Sequence, residues 1–300
     1  MRVGFVGLGA MGTHMARNLH RAGLLAGLYN RTADKARTLA GELNVRAYPG
    51  LRELAADVGA VVSCVSADAD VLEVVQALAP ALKRGALVID CSTIGAESAR
   101  RAAEVLEGCG AEFLDCPVSG GVEGARDATL AIMCGGTSEA FQRAQPILGA
   151  LGKTVTLFGA TGSGQAAKAT NQIMCAGIIE AVAEAMAFAH AQGLPLPKLI
   201  DTLGKGAGSS WYFVHRAPNM ARGAYPAGFK VRLHAKDLGI CRDMAARFGV
   251  ALPVVERMLG EYAELVARGF GDEDISATYR LKEELFERTN IMKAPARSGA

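Results

Sequence analysis

Val3-Gly4-Phe5-Val6-Gly7-Leu8-Gly9-Ala10-Met11-Gly12 opens the chain. Its first residues form a short apolar run of strand length. Gly7, Gly9 and Gly12 then follow in the spacing G-x-G-x-x-G, and Met11, Met15, Leu19 and Ala22 recur along one side of a helical pattern. A strand that runs through three glycines into a helix is the context in which this spacing binds a dinucleotide. Gly7 makes the tight turn, Gly9 admits the pyrophosphate to the backbone, and Gly12 lets helix and strand pack closely. The helix N-terminus offers free N–H groups and the positive end of its dipole. Leu8, Ala10 and Met11 complete the turn.

Further buried strands continue the pattern at 25–29, 60–66 and 86–90, with helical periodicity over 51–58 and 68–82. The strand Leu25–Tyr29 ends at Asn30-Arg31-Thr32, with Lys35 a helical step on. An enzyme that prefers NAD usually carries a carboxylate here for the ribose 2′-hydroxyl. An arginine instead pairs with a 2′-phosphate, so the segment points to NADP, with NAD possible. The competing reading is a surface arginine indifferent to the cofactor. The turns Val65-Ser66-Ala67-Asp68 and Asp90-Cys91-Ser92-Thr93 close successive strands at the ends where α/β sheets bind ligands. Val65, Ser92 and Thr93 are therefore assigned to the cofactor wall, and N-capping of the helix from Gly95 is compatible with that role. Asp115-Cys116-Pro117-Val118-Ser119-Gly120-Gly121 reads as a strand entering a loop whose N–H groups and Ser119 hydroxyl suit a carboxylate. A strand over 129–134, a helix from Ser138 and a strand over 154–158 finish this half.

Past the midpoint, Gly162-Ser163-Gly164-Gln165-Ala166-Ala167-Lys168-Ala169-Thr170-Asn171-Gln172 opens the longest helical pattern, running toward Gly193, with Gly162 and Gly164 as loop punctuation before it. Lys168, Asn171 and Gln172 fall at i, i+3 and i+4 on one face. A lysine among apolar neighbours is desolvated, which favours its neutral form and suits an acid or base; the competing reading is a lysine that snorkels to solvent. From about residue 194 the pattern is helical, with no convincing strand. The single tryptophan, Trp211, follows the glycine-rich stretch Gly204 to Ser210, either as a pocket wall or as core. His234 stands without ligand-spaced companions, so no metal site is expected.

The 300 residues suffice for two domains. Lysine and arginine number 32 against 30 acidic residues, interspersed, which argues against nucleic-acid or membrane partners. Seven cysteines without a C-x-x-C pair suggest reduced thiols of a cytoplasmic protein. No apolar run is expected to reach membrane-spanning length.

Four blocks in order, Gly7–Gly12, Asp115–Gly121, Gly162–Asn171 and Lys236-Asp237-Leu238, resemble the β-hydroxyacid dehydrogenase family over about residues 2 to 288. The resemblance implies Lys168 as general acid/base and Asn171 as a hydrogen-bond partner of the substrate. It implies a carboxylate site at Ser119, Gly120 and Gly121, a place by the nicotinamide for Ser92 and Thr93, and a cofactor contact for Lys236. Cys116 and Gln172 depart from the usual residues. Trp211 joins the substrate-binding candidates. The expected fold is α/β: a Rossmann-type doubly wound sheet (1–163), a long interdomain helix (164–193), an all-α domain (194–290) and a frayed tail (291–300). The expected enzyme transfers hydride between NADP(H) and a small 3-hydroxy acid or semialdehyde, and works as a homodimer or homotetramer. A 6-phosphogluconate-type dehydrogenase would need a longer second domain. An imine-reductase-like enzyme and a non-catalytic cofactor-binding scaffold are the alternatives that Lys168 weighs against.

Overall fold

In the computed structural model, which describes residues 1–287, the apolar runs of the first half become strands of one nine-stranded sheet. They are β1 (Val3–Val6), β2 (Leu25–Tyr29), β3 (Arg46–Ala47), β4 (Ala60–Ser63), β5 (Leu87–Asp90), β6 (Glu112–Asp115), β7 (Val118–Ser119), β8 (Leu130–Gly135) and β9 (Gly152–Gly159). Parallel pairs give the order β3-β2-β1-β4-β5-β6. β8 runs antiparallel to β6 and β7 and parallel to β9.

The helices of this half are α1 (Gly12–Arg21), α2 (Ala33–Leu43), α3 (Leu51–Asp57), α4 (Asp68–Leu78), α5 (Ala96–Glu107), α6 (Gly121–Asp127) and α7 (Ser138–Gly149). Successive strand side chains point to opposite faces, which sorts the core into two layers. Phe5, Val62, Ile89 and Leu114 share one with α1, α2 and α7, through Met15, Leu39 and Ile147. Val6, Val61, Val88 and Phe113 share the other with α3, α4 and α5, through Leu54, Val75 and Leu106. Covering both faces explains why the strands read as continuous apolar runs.

The chain divides into two units, Met1–Ala169 and a second beginning at Thr170. The helix α8 (Ser163–Ala191) starts in the first and continues into the second, followed by α9 (Leu196–Leu203), α10 (Trp211–Ala221), α11 (Val231–Ala246), α12 (Pro253–Ala267) and α13 (Thr278–Glu287). Among the described residues the second unit has no strand, only one isolated bridge within it, Lys230 to Asp274. Ala176, Ile179, Ala183 and Met186 of α8 are buried, as are Val231, Leu238 and Cys241 of α11 and Val255, Met258, Tyr262 and Leu265 of α12. Lys282, 3% exposed at its side chain, pairs with Glu180 and Glu261, and Arg257 reaches Glu180 at 2.7 Å.

Four expectations are corrected or fall elsewhere. Gly164 lies inside the first turn of α8 rather than before it. The loop after Pro117 folds into β7 and α6. By length and composition α8 is sufficient to cross a membrane, contrary to the expectation from the sequence; its buried face packs in a helical core and its Glu180 is ion-paired, as in a core helix. The expected tail, 291–300, lies outside the described residues.

Candidate active site

The glycine turn is shaped by what a side chain would strike. Gly7 has φ +95°, and a Cβ there would lie 2.2 Å from the Cys64 carbonyl oxygen. A Cβ on Gly12 would lie 2.0 Å from the Gly7 carbonyl oxygen. At Gly9 a Cβ would meet nothing within 4 Å, so the turn is open on that side. The first turn of α1 has neither a side-chain cap nor an acidic residue. An open glycine before an uncapped helix start fits the pyrophosphate of a dinucleotide.

The carboxamide of Asn30 ties this turn to the end of β2. Its Oδ1 accepts the Leu8 N–H at 2.8 Å, and its Nδ2 donates to the Thr32 carbonyl at 3.0 Å. Arg31 is largely exposed and pairs through Nη1 with Asp70 of α4 at 2.9 Å. Thr32 and Lys35 are exposed beside it.

At the C-terminal edge of the sheet, Ser63, Asp90, Asp115 and Gly135 stand in register on β4, β5, β6 and β8. Asp90 Oδ1 accepts the hydroxyls of Ser63 and Ser92, each at 2.7 Å. Ser92 Oγ in turn accepts the Val65 N–H at 2.9 Å. The Ser92 hydroxyl is thus committed to bracing the wall formed by Val65 and Asp90. It does not cap α5, whose Gly95 N–H donates to Asp68 Oδ1 at 2.8 Å.

Asp115 receives the start of α8. Its Oδ1 accepts the Gly162 N–H at 2.7 Å and its Oδ2 the Gln165 N–H at 2.9 Å. Gln165 clips the neighbouring turn, its Oε1 accepting the Ile94 N–H at 3.1 Å and its Nε2 donating to the Ser92 carbonyl at 2.9 Å. Lys168, one turn on, is 7% exposed. In the second unit Asn171 donates to Gln172, Gln172 donates to Asp237 and Lys236 pairs with Asp237, at 2.8, 2.8 and 2.9 Å.

Ser119 pairs with Ala131 in the β7–β8 ladder, and Gly120 and Gly121 take φ of 132° and 65°, backbone that favours glycine. Trp211 is not a core residue: it is 54% exposed and stacks on His215 at 4.2 Å between centroids. His234 is fully buried, with Nδ1 2.8 Å from the Tyr262 hydroxyl, so it belongs to the helical core. Among the described residues no cluster of three His, Cys, Asp or Glu is arranged for a metal ion.

Sequence reasoning passed over Asp70, and quoted Asp90, Asp115 and Gln165 only within longer stretches, giving none of them a role of its own. A carboxylate closing an otherwise apolar strand, twice, was the available signal. Burial pushes Asp90 and Asp115 each up to about 6, against the hydrogen bonds that pull them down, and the Asp115 charge adds to the rise at Asp90.

Comparison with known proteins follows the same division. Residues 2–159 match the family model described as the NAD binding domain of 6-phosphogluconate dehydrogenase. Residues 162–282 match the one described as NAD-binding of NADP-dependent 3-hydroxyisobutyrate dehydrogenase. Escherichia coli 2-hydroxy-3-oxopropionate reductase is 34% identical over 285 residues, covering 94% of this chain and 97% of that protein. Human mitochondrial 3-hydroxyisobutyrate dehydrogenase is 33% identical over 297 residues, covering 94% and 87%. A solved structure of Mycobacterium tuberculosis 3-hydroxyisobutyrate dehydrogenase with L-serine aligns at a TM-score of 0.85 and 32% identity, covering 94% of this chain and 99% of that one.

The raised Asp90 gives a pH signature. A carboxyl that holds its proton more tightly when folded contributes stability that is complete below the unfolded pKa and lost as pH rises through the folded one. For Asp90 that window runs from the ordinary 3.8 to about 6, and a shift of roughly two units corresponds to about 3 kcal/mol. Urea melts of the wild type are expected to lose stability across this window, and Asp90→Asn to flatten the slope. Equal slopes in the two proteins would contradict the assignment.

Proposed function

The chain belongs to the β-hydroxyacid dehydrogenase family and is an NAD(P)-dependent hydroxyacid dehydrogenase, and we propose that it interconverts a small 3-hydroxy acid and its semialdehyde with NADP(H), using Lys168 as general acid/base. One observation carries this reading. Lys168 is buried, one turn into a helix whose start is bonded to Asp115 at the C-terminal edge of the sheet, where α/β folds bind ligands.

The residues Gly7 to Gly12 and the N-terminus of α1 hold the pyrophosphate. Asn30 shapes the turn while Arg31 and Lys35, with Thr32 between them, face the 2′-phosphate. Val65 and Thr93 line the wall that Ser92 braces, and Lys236 contributes a cofactor contact. The bound nicotinamide supplies or accepts the hydride. Lys168 donates a proton to the carbonyl oxygen in reduction and takes the hydroxyl proton in oxidation. Asn171 orients that oxygen. Ser119, Gly120 and Gly121 hold the acid group, so that the reacting carbon is placed before the proton moves. Trp211, exposed next to the glycine-rich 204–210 stretch, is assigned to the substrate side. Met174, Ile178 and Phe188 of α8 are exposed apolar residues, which supports a homodimer or homotetramer in which this helix is covered. Buried thiols such as Cys91 and Cys116 favour a cytoplasmic setting.

Lys168→Ala is expected to lower kcat by roughly a hundredfold or more while leaving NADPH affinity near wild type; a near-normal kcat would overturn the role. Arg31→Ala should weaken NADPH binding by roughly tenfold or more with little effect on NADH, as read by fluorescence titration of both. Reduction of succinic semialdehyde, glyoxylate, tartronate semialdehyde and methylmalonate semialdehyde, assayed with each cofactor, identifies the substrate class. Light scattering at micromolar protein should give a dimer or tetramer mass, and a monomer mass would refute the assembly.

A further inference from the structure

We propose that Asp115 is the positioning residue for Lys168: its carboxylate sets where α8 begins and thereby where the lysine stands. The inference rests on the acid/base role of Lys168 and adds a residue that touches neither substrate nor cofactor.

The geometry is unusually constrained. Both Asp115 oxygens are used, one on the Gly162 N–H and one on the Gln165 N–H, so the carboxylate spans the start of the helix. The backbones then meet without side chains between them. A Cβ on Gly164 would lie 2.4 Å from the Met133 carbonyl oxygen, 2.5 Å from the Asp115 carbonyl oxygen and 2.8 Å from Asp115 Oδ2. A Cβ on Gly135 would lie 2.5 Å from Asp115 Oδ1 and 2.8 Å from the Gly164 nitrogen. The helix start therefore rests on the tips of β6 and β8, with Asp115 bonded beneath it. Lys168 follows Gln165 by three residues, about 4.5 Å of helical rise. A shift of the helix start is carried to the lysine undiminished over so short a distance.

The residue type supports the assignment. A serine, threonine or asparagine caps a helix without burying a charge. A buried carboxylate carries a desolvation cost that its hydrogen bonds only partly offset. What the carboxylate adds over those caps is a second acceptor in a fixed fork, hence position. The same residue also begins the segment that continues in register against β8 to Ser119: Asp115 pairs with Gly135, Val118 with Ile132 and Ser119 with Ala131. The main chain of Asp115 thus indexes the proposed carboxylate loop, and its side chain indexes the proposed base.

The test uses the full-length protein with NADPH and whichever of the four carbonyl acids the wild type reduces fastest. Asp115→Asn keeps the size of the side chain and one acceptor but loses the fork. It is expected to lower kcat roughly tenfold to a hundredfold, the effect of a displacement near 1 Å. KM should change far less, and the NADPH dissociation constant should stay within about twofold, since the Gly7–Gly12 turn is built independently. Gly164→Ala, which displaces the helix start with Asp115 intact, should show the same split and carries the test if Asp115→Asn does not fold. Lys168→Ala runs in parallel. If Lys168→Ala is inactive while both other variants fold with wild-type kcat, the positioning role is wrong and the base assignment stands. If Lys168→Ala retains turnover, the base assignment itself fails. A loss confined to KM or to NADPH affinity would also overturn the positioning role.

Discussion

The carboxylate of Asp115, sunk at the end of β6 and bonded to two amides of α8, is the contact on which the arrangement of the first unit depends. Water solvates a carboxylate far better than a protein interior does, so burial drives its pKa upward. The helix N-terminus supplies the compensation, because its amides lack intrahelical acceptors and its dipole favours negative charge. Asp90 on the next strand is held instead by hydroxyls from Ser63 and Ser92, both on its Oδ1. Gln165 then joins the two arrangements by bonding Ser92 and Ile94 from the first turn of α8. Two costly carboxylates at one sheet edge are thereby made into a single network that locates backbone.

The dinucleotide end is governed by exclusion. Gly7 and Gly12 face carbonyl oxygens too close for a Cβ, whereas Gly9 faces open space. Asn30 shows why the residue at the end of β2 is an amide. Its nitrogen donates to the Thr32 carbonyl while its oxygen accepts from Leu8. An ionised carboxylate accepts only and would meet the Thr32 carbonyl with repulsion. Position 30 is thus occupied in shaping the turn, and the exposed cations that follow it are Arg31 and Lys35. Arg31 is held there by Asp70, a modest constraint at a solvent-exposed site.

Much of the fold was legible because its signals are local. Continuous apolar runs mark strands covered on both faces, and G-x-G-x-x-G between strand and helix has few other meanings. The burial of Lys168 was only half legible, because a lysine that snorkels to solvent fits the same helical pattern; it is 7% exposed. What escaped depends on tertiary approach. Gly164 reads as a helix boundary by propensity, yet it sits within the first turn because β6 and β8 leave no room for a side chain. The Gly120-Gly121 pair reads as open loop, but positive φ at both glycines turns the chain directly into α6. Trp211 invites a core assignment by size, and finds an exposed stack on His215 instead. Asp70 and Arg31 are 39 residues apart, and no periodicity connects them.

The second unit uses buried charge to the same end by different means. Past Gln172, α8 is apolar apart from Glu180, Glu184 and His190, and apolar surface alone specifies register poorly, because many slides along a neighbour bury similar area. Lys282 removes that freedom. Its ammonium is almost wholly buried and contacts Glu180 of α8 and Glu261 of α12, while Arg257 of α12 also reaches Glu180. Any sliding of α8, α12 or α13 would separate a buried cation from its carboxylates, at a cost of several kcal/mol. Burial nevertheless raises the Glu261 carboxyl despite the adjacent lysine, so the cluster is a weak source of net stability. Its contribution is discrimination among packings, which a helix as apolar as α8 cannot obtain from its aliphatic surface.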